Sequence, residues 1–275
     1  MTIGQALRQA GTDGVARIDA HLLLLHALGR SPGDRAWLLA HDDDELAPAA
    51  AERFLALCSR RLAGEPVAYL TGRKEFFGLE LAVDSRVLVP RPETEILVEW
   101  ALQVVEGVRE PRVVDLGTGS GAIALALASE RPDARVEAVD ASAGALQVAR
   151  DNARRLGLPV RFGQGDWLDG CGGVYDLVVS NPPYVREGDE HLAALGHEPL
   201  QALASGVDGL DDLRRIIDAA PARLAPGGWL LLEHGWDQAQ AVRTLLHEAG
   251  LSDVETRKDL AGIDRCSGGR RSERG

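Results

Sequence analysis

The chain is poor in cysteine and shows no arrangement of what it has. Among 275 residues only Cys58, Cys171 and Cys266 occur, odd in number, far apart and without a Cys-x-x-Cys pair. That argues against a disulfide framework and against a thiolate metal site. The seven histidines include no His-Glu-x-x-His pair and no His/Cys cluster of the zinc-finger kind, so no metal is expected. No run of about 18 apolar residues is present that would cross a bilayer. Even the apolar stretch 22–25 is bracketed by His21 and His26. Residues 1–20 lack the basic start and apolar stretch of a secretory leader, and a cytoplasmic protein is expected. Segments rich in lysine and arginine are missing as well: 30 Lys and Arg stand against 42 Asp and Glu, a formal net charge of −12. Such a chain is a poor non-specific binder of polyanions, although a local basic patch stays open. The balance favours a protein or small-molecule substrate over bulk DNA, and it attracts a partner with a basic face.

What the chain does contain divides into three textures. The first sixty or so residues read as helices: Thr2 caps a short one, and 15–28 places Ile18, Leu22, Leu25 and Leu28 at helical spacing before Gly29. Arg35–Ala40 and Pro48–Leu62 follow, the last closed by Gly64. Over 65–92, short β-branched and aromatic runs broken by glycine (Tyr69-Leu70-Thr71-Gly72, Phe76-Phe77-Gly78, Val87-Leu88-Val89-Pro90) predict a hairpin connector. Pro92, with Glu93 and Glu95 behind it, opens a helix to about residue 105. From Arg112 onward strands alternate with helices, with strands at 113–114, 136–139, 160–162, 177–179, 229–232 and 254–257. Helices are expected at 122–129, Ala143–Leu156, 213–224 and 238–249. Alternation of this kind implies an α/β fold, a mostly parallel sheet covered on both faces. The expected organisation is a helical domain over 1–66, a connector over 67–91 and an α/β domain over 92–275.

Asp115-Leu116-Gly117-Thr118-Gly119-Ser120-Gly121 follows a strand and opens a helix. Its glycines permit a tight turn against which a ligand can lie, beside the free N–H groups of a helix start. The glycines fall at every second position, unlike a dinucleotide-binding turn, and no Gly-Lys-Ser/Thr ending marks a phosphate loop. A plain tight turn would account for one glycine better than for three. Asp140 ends the second strand, where a carboxylate can accept both hydroxyls of a ribose. Asp166-Trp167 stands past the third strand at the same sheet edge. There an acid can accept from an adenine amino group and an indole can cover the purine face. Together these residues resemble the S-adenosylmethionine site of the seven-stranded, Rossmann-like methyltransferase fold.

Asn181-Pro182-Pro183-Tyr184 comes directly after the apolar fourth strand. Two prolines lock φ and remove two N–H donors, so the segment cannot pair as a strand and its carbonyls face outward. The Asn181 side-chain oxygen and the Pro182 backbone oxygen can each accept one hydrogen of an NH2 group. An amide or aromatic amine nitrogen has its lone pair drawn into a π system; two acceptors on its hydrogens orient it and stabilise the charge that develops as a methyl arrives. Tyr184 can stack on the flat acceptor. The bland alternative is a Pro-Pro turn capping a strand.

These motifs together resemble the PrmC/HemK family, the release factor glutamine methyltransferases. The resemblance covers nearly the whole chain. It rests on Val89-Pro90-Arg91-Pro92-Glu93-Thr94-Glu95, the glycine turn, Ser180 to Tyr184, Glu198-Pro199 with Ala202-Leu203, Asp208-Gly209-Leu210, and Glu233-His234-Gly235. It implies the glutamine of a release factor's Gly-Gly-Gln motif as substrate and S-adenosylmethionine as methyl donor. It further implies a helical domain that grips the release factor. A monomer without direct nucleic-acid contact is expected. Residue by residue it points to Gly117, Thr118, Gly119, Ser120, Gly121, Asp140 and Trp167 as cofactor contacts, with Asp166 and Asn181 beside them. Asn181, Pro182, Pro183 and Tyr184 become the glutamine clamp. For Arg91, Glu93 and Glu198 a structural ion pair and a substrate contact stay open alternatives.

The C-terminus departs from the family's pattern. Cys266-Ser267-Gly268-Gly269 is a weak strand, and a short or poorly paired last strand with a frayed tail over 270–275 is expected. Two rival functions remain: methylation of the amino group of a nucleic-acid base, which the acidic balance opposes, and a non-enzymatic adaptor with a vestigial glycine turn.

Overall fold

A computed structural model describes residues 1–273. The chain divides into two compact units, one of residues 1–73 and one from Lys74 onward.

The first unit is helical. Helices α1 (Ile3–Thr12), α2 (Arg17–Ala27), α3 (Arg35–Ala40), α4 (Pro48–Leu62) and α5 (Val67–Thr71) enclose a core that includes Ile3, Leu23, Leu24, Leu38, Phe54 and Leu70. Thr2 and Gln5 close α1 with a reciprocal capping box, which satisfies two N–H groups that a helix start leaves free. Two expectations need correction here. Ile18 is exposed; of the expected face Leu25 is buried, and the buried face of α2 runs with it through Ala20, Leu23, Leu24 and Ala27. Four successive leucines give no period from which to choose the face. Residues 67–71 form a helix rather than an extended run, closed by Gly72 in the left-handed region.

The second unit opens within the hairpin of β1 (Arg73–Phe76) and β2 (Leu79–Ala82). A 3-10 turn, Pro92–Thr94, leads into α6 (Glu95–Val104). The α/β alternation follows: β3 (Arg112–Leu116), α7 (Ala122–Glu130), β4 (Arg135–Asp140), α8 (Ala143–Leu156), β5 (Arg161–Gln164) and β6 (Tyr175–Ser180). After it come α9 (Asp211–Ala219), β7 (Leu224–Glu233), α10 (Ala239–Glu248), β8 (Ser252–Lys258) and β9 (Asp264–Arg270). Helix α9 stops short of the expected 224 because Pro221 cannot continue it. Asn152 on α8 is fully buried and bonds the backbone of Ala82 and the carbonyl of Ser120, tying hairpin and glycine turn to one helix.

One seven-stranded sheet runs in the order β5-β4-β3-β6-β7-β9-β8. All neighbours are parallel except those of β9, which is antiparallel to both β7 and β8. Alternation along the strands builds two cores. Val113, Leu177, Val179 and Leu231 face one cluster with α6 and α7, while Val114, Val178, Leu230 and Leu232 face another with α9 and α10.

The last strand overturns the sequence expectation. β9 is a full strand of seven residues, paired on both sides from Cys266 to Arg270. Its glycines suit close packing: a Cβ on Gly268 would lie 2.5 Å from Leu231 Cδ2 and 3.0 Å from Trp100 Cη2. Two flanking ladders impose the strand where propensity alone does not. Of the expected frayed tail, Arg270 and Arg271 bond Gly227 and Leu224; residues 274 and 275 lie outside the described part.

Candidate active site

The chain leaves β3 for β4 and β5 on one side, then returns to place β6 on the other side of β3. In an open α/β sheet the crevice at such a reversal, beyond the carboxyl ends of the strands, is where ligands bind. Here those ends carry the glycine turn after β3 and the Asn181 segment after β6. A cavity of about 270 Å3 opens between them. Among the sequence-derived candidates, Gly117, Gly119, Asp140, Asp166, Trp167, Asn181 and Pro183 line it. Thr118 and Ser120 turn inward and are buried, Gly121 packs on Leu125 and Ala149, and Pro182 and Tyr184 are not among the lining residues.

The turn is held by carboxylates from two strands. Asp115 is 1% exposed; its Oδ2 accepts the Thr118 hydroxyl at 2.6 Å and the Ala124 N–H at 3.2 Å. Burial pushes its carboxyl up to about 7, against those two hydrogen bonds. Asp140 accepts Gly119 N–H through Oδ2 at 2.9 Å and Ser142 N–H through Oδ1 at 2.8 Å. Burial raises its pKa as well, and the two N–H groups pull it down. A carboxylate has about four acceptor positions, so each oxygen of Asp140 can take one further hydroxyl.

Trp167 sits at φ 49°, a strained conformation for a bulky residue, and its indole lies against the turn. A Cβ on Gly117, itself at φ +69°, would come within 3.0 Å of that ring. The indole Nε1–H donates to Asp212 Oδ1 at 3.1 Å, which fixes the ring plane. Asp166 pairs with Arg215 and stays half exposed. The free acceptor positions of Asp140, a ring fixed over a glycine turn and a nearby cavity fit an adenosine-bearing cofactor.

On the acceptor side, Asn181 Nδ2–H donates to Thr94 Oγ1 at 3.1 Å, which leaves Oδ1 as the acceptor. Tyr184 O–H donates to Glu233 Oε1 at 3.2 Å. Burial and the Glu233 charge both push the Tyr184 hydroxyl pKa up. Glu233 is itself buried, and burial pushes its carboxyl up to about 7 while Thr94, Arg265 and Tyr184 draw it down. Thr94, Asp115, Asp212 and Glu233 were not singled out from the sequence as site residues. Glu233 had a signal: like Asp140, it is an acid ending an apolar strand. Asp212 had none, being one of several acids in 208–212.

Glu198 forms an ion pair with Arg91 at 2.6 Å, and its other oxygen accepts Val89 N–H at 3.0 Å. The Glu198 side chain is 2% exposed and that of Arg91 34%. This joins the 89–95 segment to residues 199–202 at the cavity. Arg91→Ala leaves a buried carboxylate without its partner, which is expected to destabilise the protein by about 2–3 kcal/mol, the low side of a fully buried pair. A thermal melt reads this as a drop of roughly 5–10 °C.

Residues 93–249 match the family described as the methyltransferase small domain, and residues 2–72 match the PrmC N-terminal domain. A release factor glutamine methyltransferase from Bordetella pertussis is 54% identical over 260 residues, covering 93% of this chain and 95% of that one. One of the same description from Xylella fastidiosa is 55% identical over 269 residues, 96% of this chain and 97% of that one. The chain belongs to the release factor glutamine methyltransferase family. Among solved structures, a methyltransferase from Pyrococcus furiosus shares the fold, with a TM-score of 0.54 at 20% identity, covering 78% of this chain and 97% of that one. Release factor glutamine methyltransferases use S-adenosylmethionine. Among the described residues no His, Cys, Asp or Glu cluster could hold a metal, and no helix is long and apolar enough to cross a membrane.

Proposed function

We propose that this chain methylates the side-chain amide nitrogen of the glutamine in the Gly-Gly-Gln motif of peptide chain release factors. The observation that carries the reading is the Asn181 carboxamide, whose Nδ2 is engaged by Thr94 so that Oδ1 is left to accept from an NH2 group. Bound S-adenosylmethionine supplies an electrophilic methyl group. Asp140 accepts ribose hydroxyls in this reading, Trp167 covers the purine and Asp166 accepts from its amino group. Gly117, Thr118, Gly119, Ser120 and Gly121 shape the turn that holds the rest. Asn181 Oδ1 and the Pro182 carbonyl hold both hydrogens of the acceptor nitrogen, and Tyr184 flanks its flat face. Two acceptors on one NH2 pull electron density onto nitrogen and stabilise its positive charge as the new bond forms. The proton leaves after transfer, so no general base need act first.

The helical unit of residues 1–73 grips the release factor. The net charge of −12 supports a protein acceptor, without direct nucleic-acid contact. A release factor as substrate puts the enzyme in the cytoplasm, where it acts as a monomer. Mass spectrometry of the Gly-Gly-Gln peptide, from a release factor incubated with enzyme and methyl donor, is expected to show one added methyl on glutamine. With tritiated donor, label in bare RNA or DNA and none in the release factor would sink the reading.

A further inference from the structure

Gln238 stands at the N-cap of α10, a position that favours Ser, Thr, Asp or Asn, and its side chain makes no capping hydrogen bond there. The residue is 4% exposed, and its carboxamide serves other segments. Nε2 donates to the Tyr184 carbonyl at 3.0 Å and shares its N–H groups with the carbonyls of Asp208 at 3.3 Å and Gly209 at 3.4 Å. Oε1 accepts Gly235 N–H at 2.8 Å. A backbone carbonyl only accepts and a backbone N–H only donates, so the carboxamide has one workable orientation. Asp208-Gly209-Leu210 and Glu233-His234-Gly235, two stretches of the family resemblance, thus meet the acceptor segment at a single side chain. Gly209 belongs to the same fit. It stands at φ +76°, and a Cβ on it would lie 2.2 Å from the Tyr184 carbonyl oxygen.

We propose that Gln238 is a positioning residue of the acceptor clamp, the one that fixes the exit of the Asn181–Tyr184 segment. At the entry, Ser180 O–H donates to the Leu116 carbonyl at 2.7 Å and Asn181 Nδ2–H donates to Thr94. Between entry and exit stand two prolines, which have no N–H with which to join the sheet. The Pro182 carbonyl and the Tyr184 ring are therefore placed by the holds at the two ends. At the exit the Tyr184 hydroxyl reaches Glu233, while Gln238 ties the Tyr184 backbone to the end of β7 and to the 208–209 turn. A group that acts on the transition state loses roughly 10²-fold in rate when it is misplaced by about 1 Å. This inference rests on the reading of Asn181–Tyr184 as the glutamine clamp.

The test uses the full chain with a release factor and tritiated S-adenosylmethionine, at a temperature where circular dichroism shows each variant folded. Gln238→Met keeps the volume and removes the side chain's hydrogen bonds. Gly209→Ala keeps Gln238 and crowds the Tyr184 carbonyl instead. Each is expected to lower kcat by about tenfold or more, with donor affinity by calorimetry within about twofold of the parent and release-factor KM within about threefold. A merely structural role would lower the melting midpoint and leave the kcat of the folded enzyme unchanged. A full-speed Gln238→Met beside a slow Asn181→Ala overturns the inference and leaves the clamp standing. So does a loss of donor affinity as large as the loss in kcat. A full-speed Asn181→Ala removes the clamp itself, and this inference with it. Should Gln238→Met fail to fold, Gly209→Ala decides alone by the same outcomes.

Discussion

Asn181→Ala is expected to lower kcat by roughly 10²–10³-fold, the usual loss when one preorganised polar contact to a reacting group is removed. Calorimetric affinity for S-adenosylmethionine should stay within about twofold. The split follows from where Asn181 stands. It leaves the end of β6 one residue before two prolines, so the backbone that carries it is fixed before substrate arrives. Its Nδ2 is held by Thr94, so the oxygen needs no reorganisation at the moment of reaction. In the proposed reading it offers acceptance from an amide nitrogen whose positive charge grows only as methyl transfer proceeds. An interaction of that kind acts on the transition state far more than on the bound ground state, and its loss appears in kcat. Steady-state methyl transfer to a release factor, beside a calorimetric titration of the donor, measures both halves. Unchanged turnover would reject the clamp.

The sheet was legible because its strands repeat one local signal. Val113-Val114, Leu177-Val178-Val179 and Leu230-Leu231-Leu232 are apolar on both faces, as parallel strands buried under helices must be, and turn residues punctuate them. The candidate residues were legible for a related reason: glycines, acids and prolines at strand ends break an apolar pattern at the one edge where ligands bind. What the sequence hid depends on contacts between distant segments. Thr94 stands in the first turn of a predicted helix, yet its hydroxyl holds Asn181, 87 residues away. Glu198 and Arg91 were singled out with ion pair and substrate contact both open, and only the fold shows them paired, with Val89 N–H on the other oxygen, 107 and 109 residues away. β9 was obscured because Gly268 and Gly269 weaken its local propensity, while the space under Trp100 and Leu231 suits residues with no side chain. Ile18 was misplaced for the opposite reason, since a run apolar all round carries no phase.

Asp140→Ala is expected to produce the complementary signature, a large loss of donor affinity with a small change in kcat at saturating donor. In the native chain each Asp140 oxygen already holds one backbone N–H, those of Gly119 and Ser142. Those bonds stabilise the charged form that burial disfavours, and they aim the remaining acceptor positions. Hydrogen bonds to a charged group contribute about 1.5–3 kcal/mol each, and two ribose hydroxyls would be lost together. Part of that sum is offset because the variant no longer buries a carboxylate. The net is a dissociation constant raised roughly 10²–10³-fold, or about 3–4 kcal/mol. Asp140→Asn is the informative companion. An amide keeps one oxygen, so its NH2 must face Gly119 N–H or Ser142 N–H, donor against donor, and the turn shifts. Its affinity should therefore fall nearly as far as that of the alanine variant, although its shape is almost unchanged. Calorimetric titration of S-adenosylmethionine into both variants measures this, and an affinity equal to the parent's in either would take the ribose off Asp140. Because Asn181→Ala should move kcat and Asp140→Ala the donor affinity, the pair separates the two halves of the crevice on opposite sides of the β3–β6 switch point.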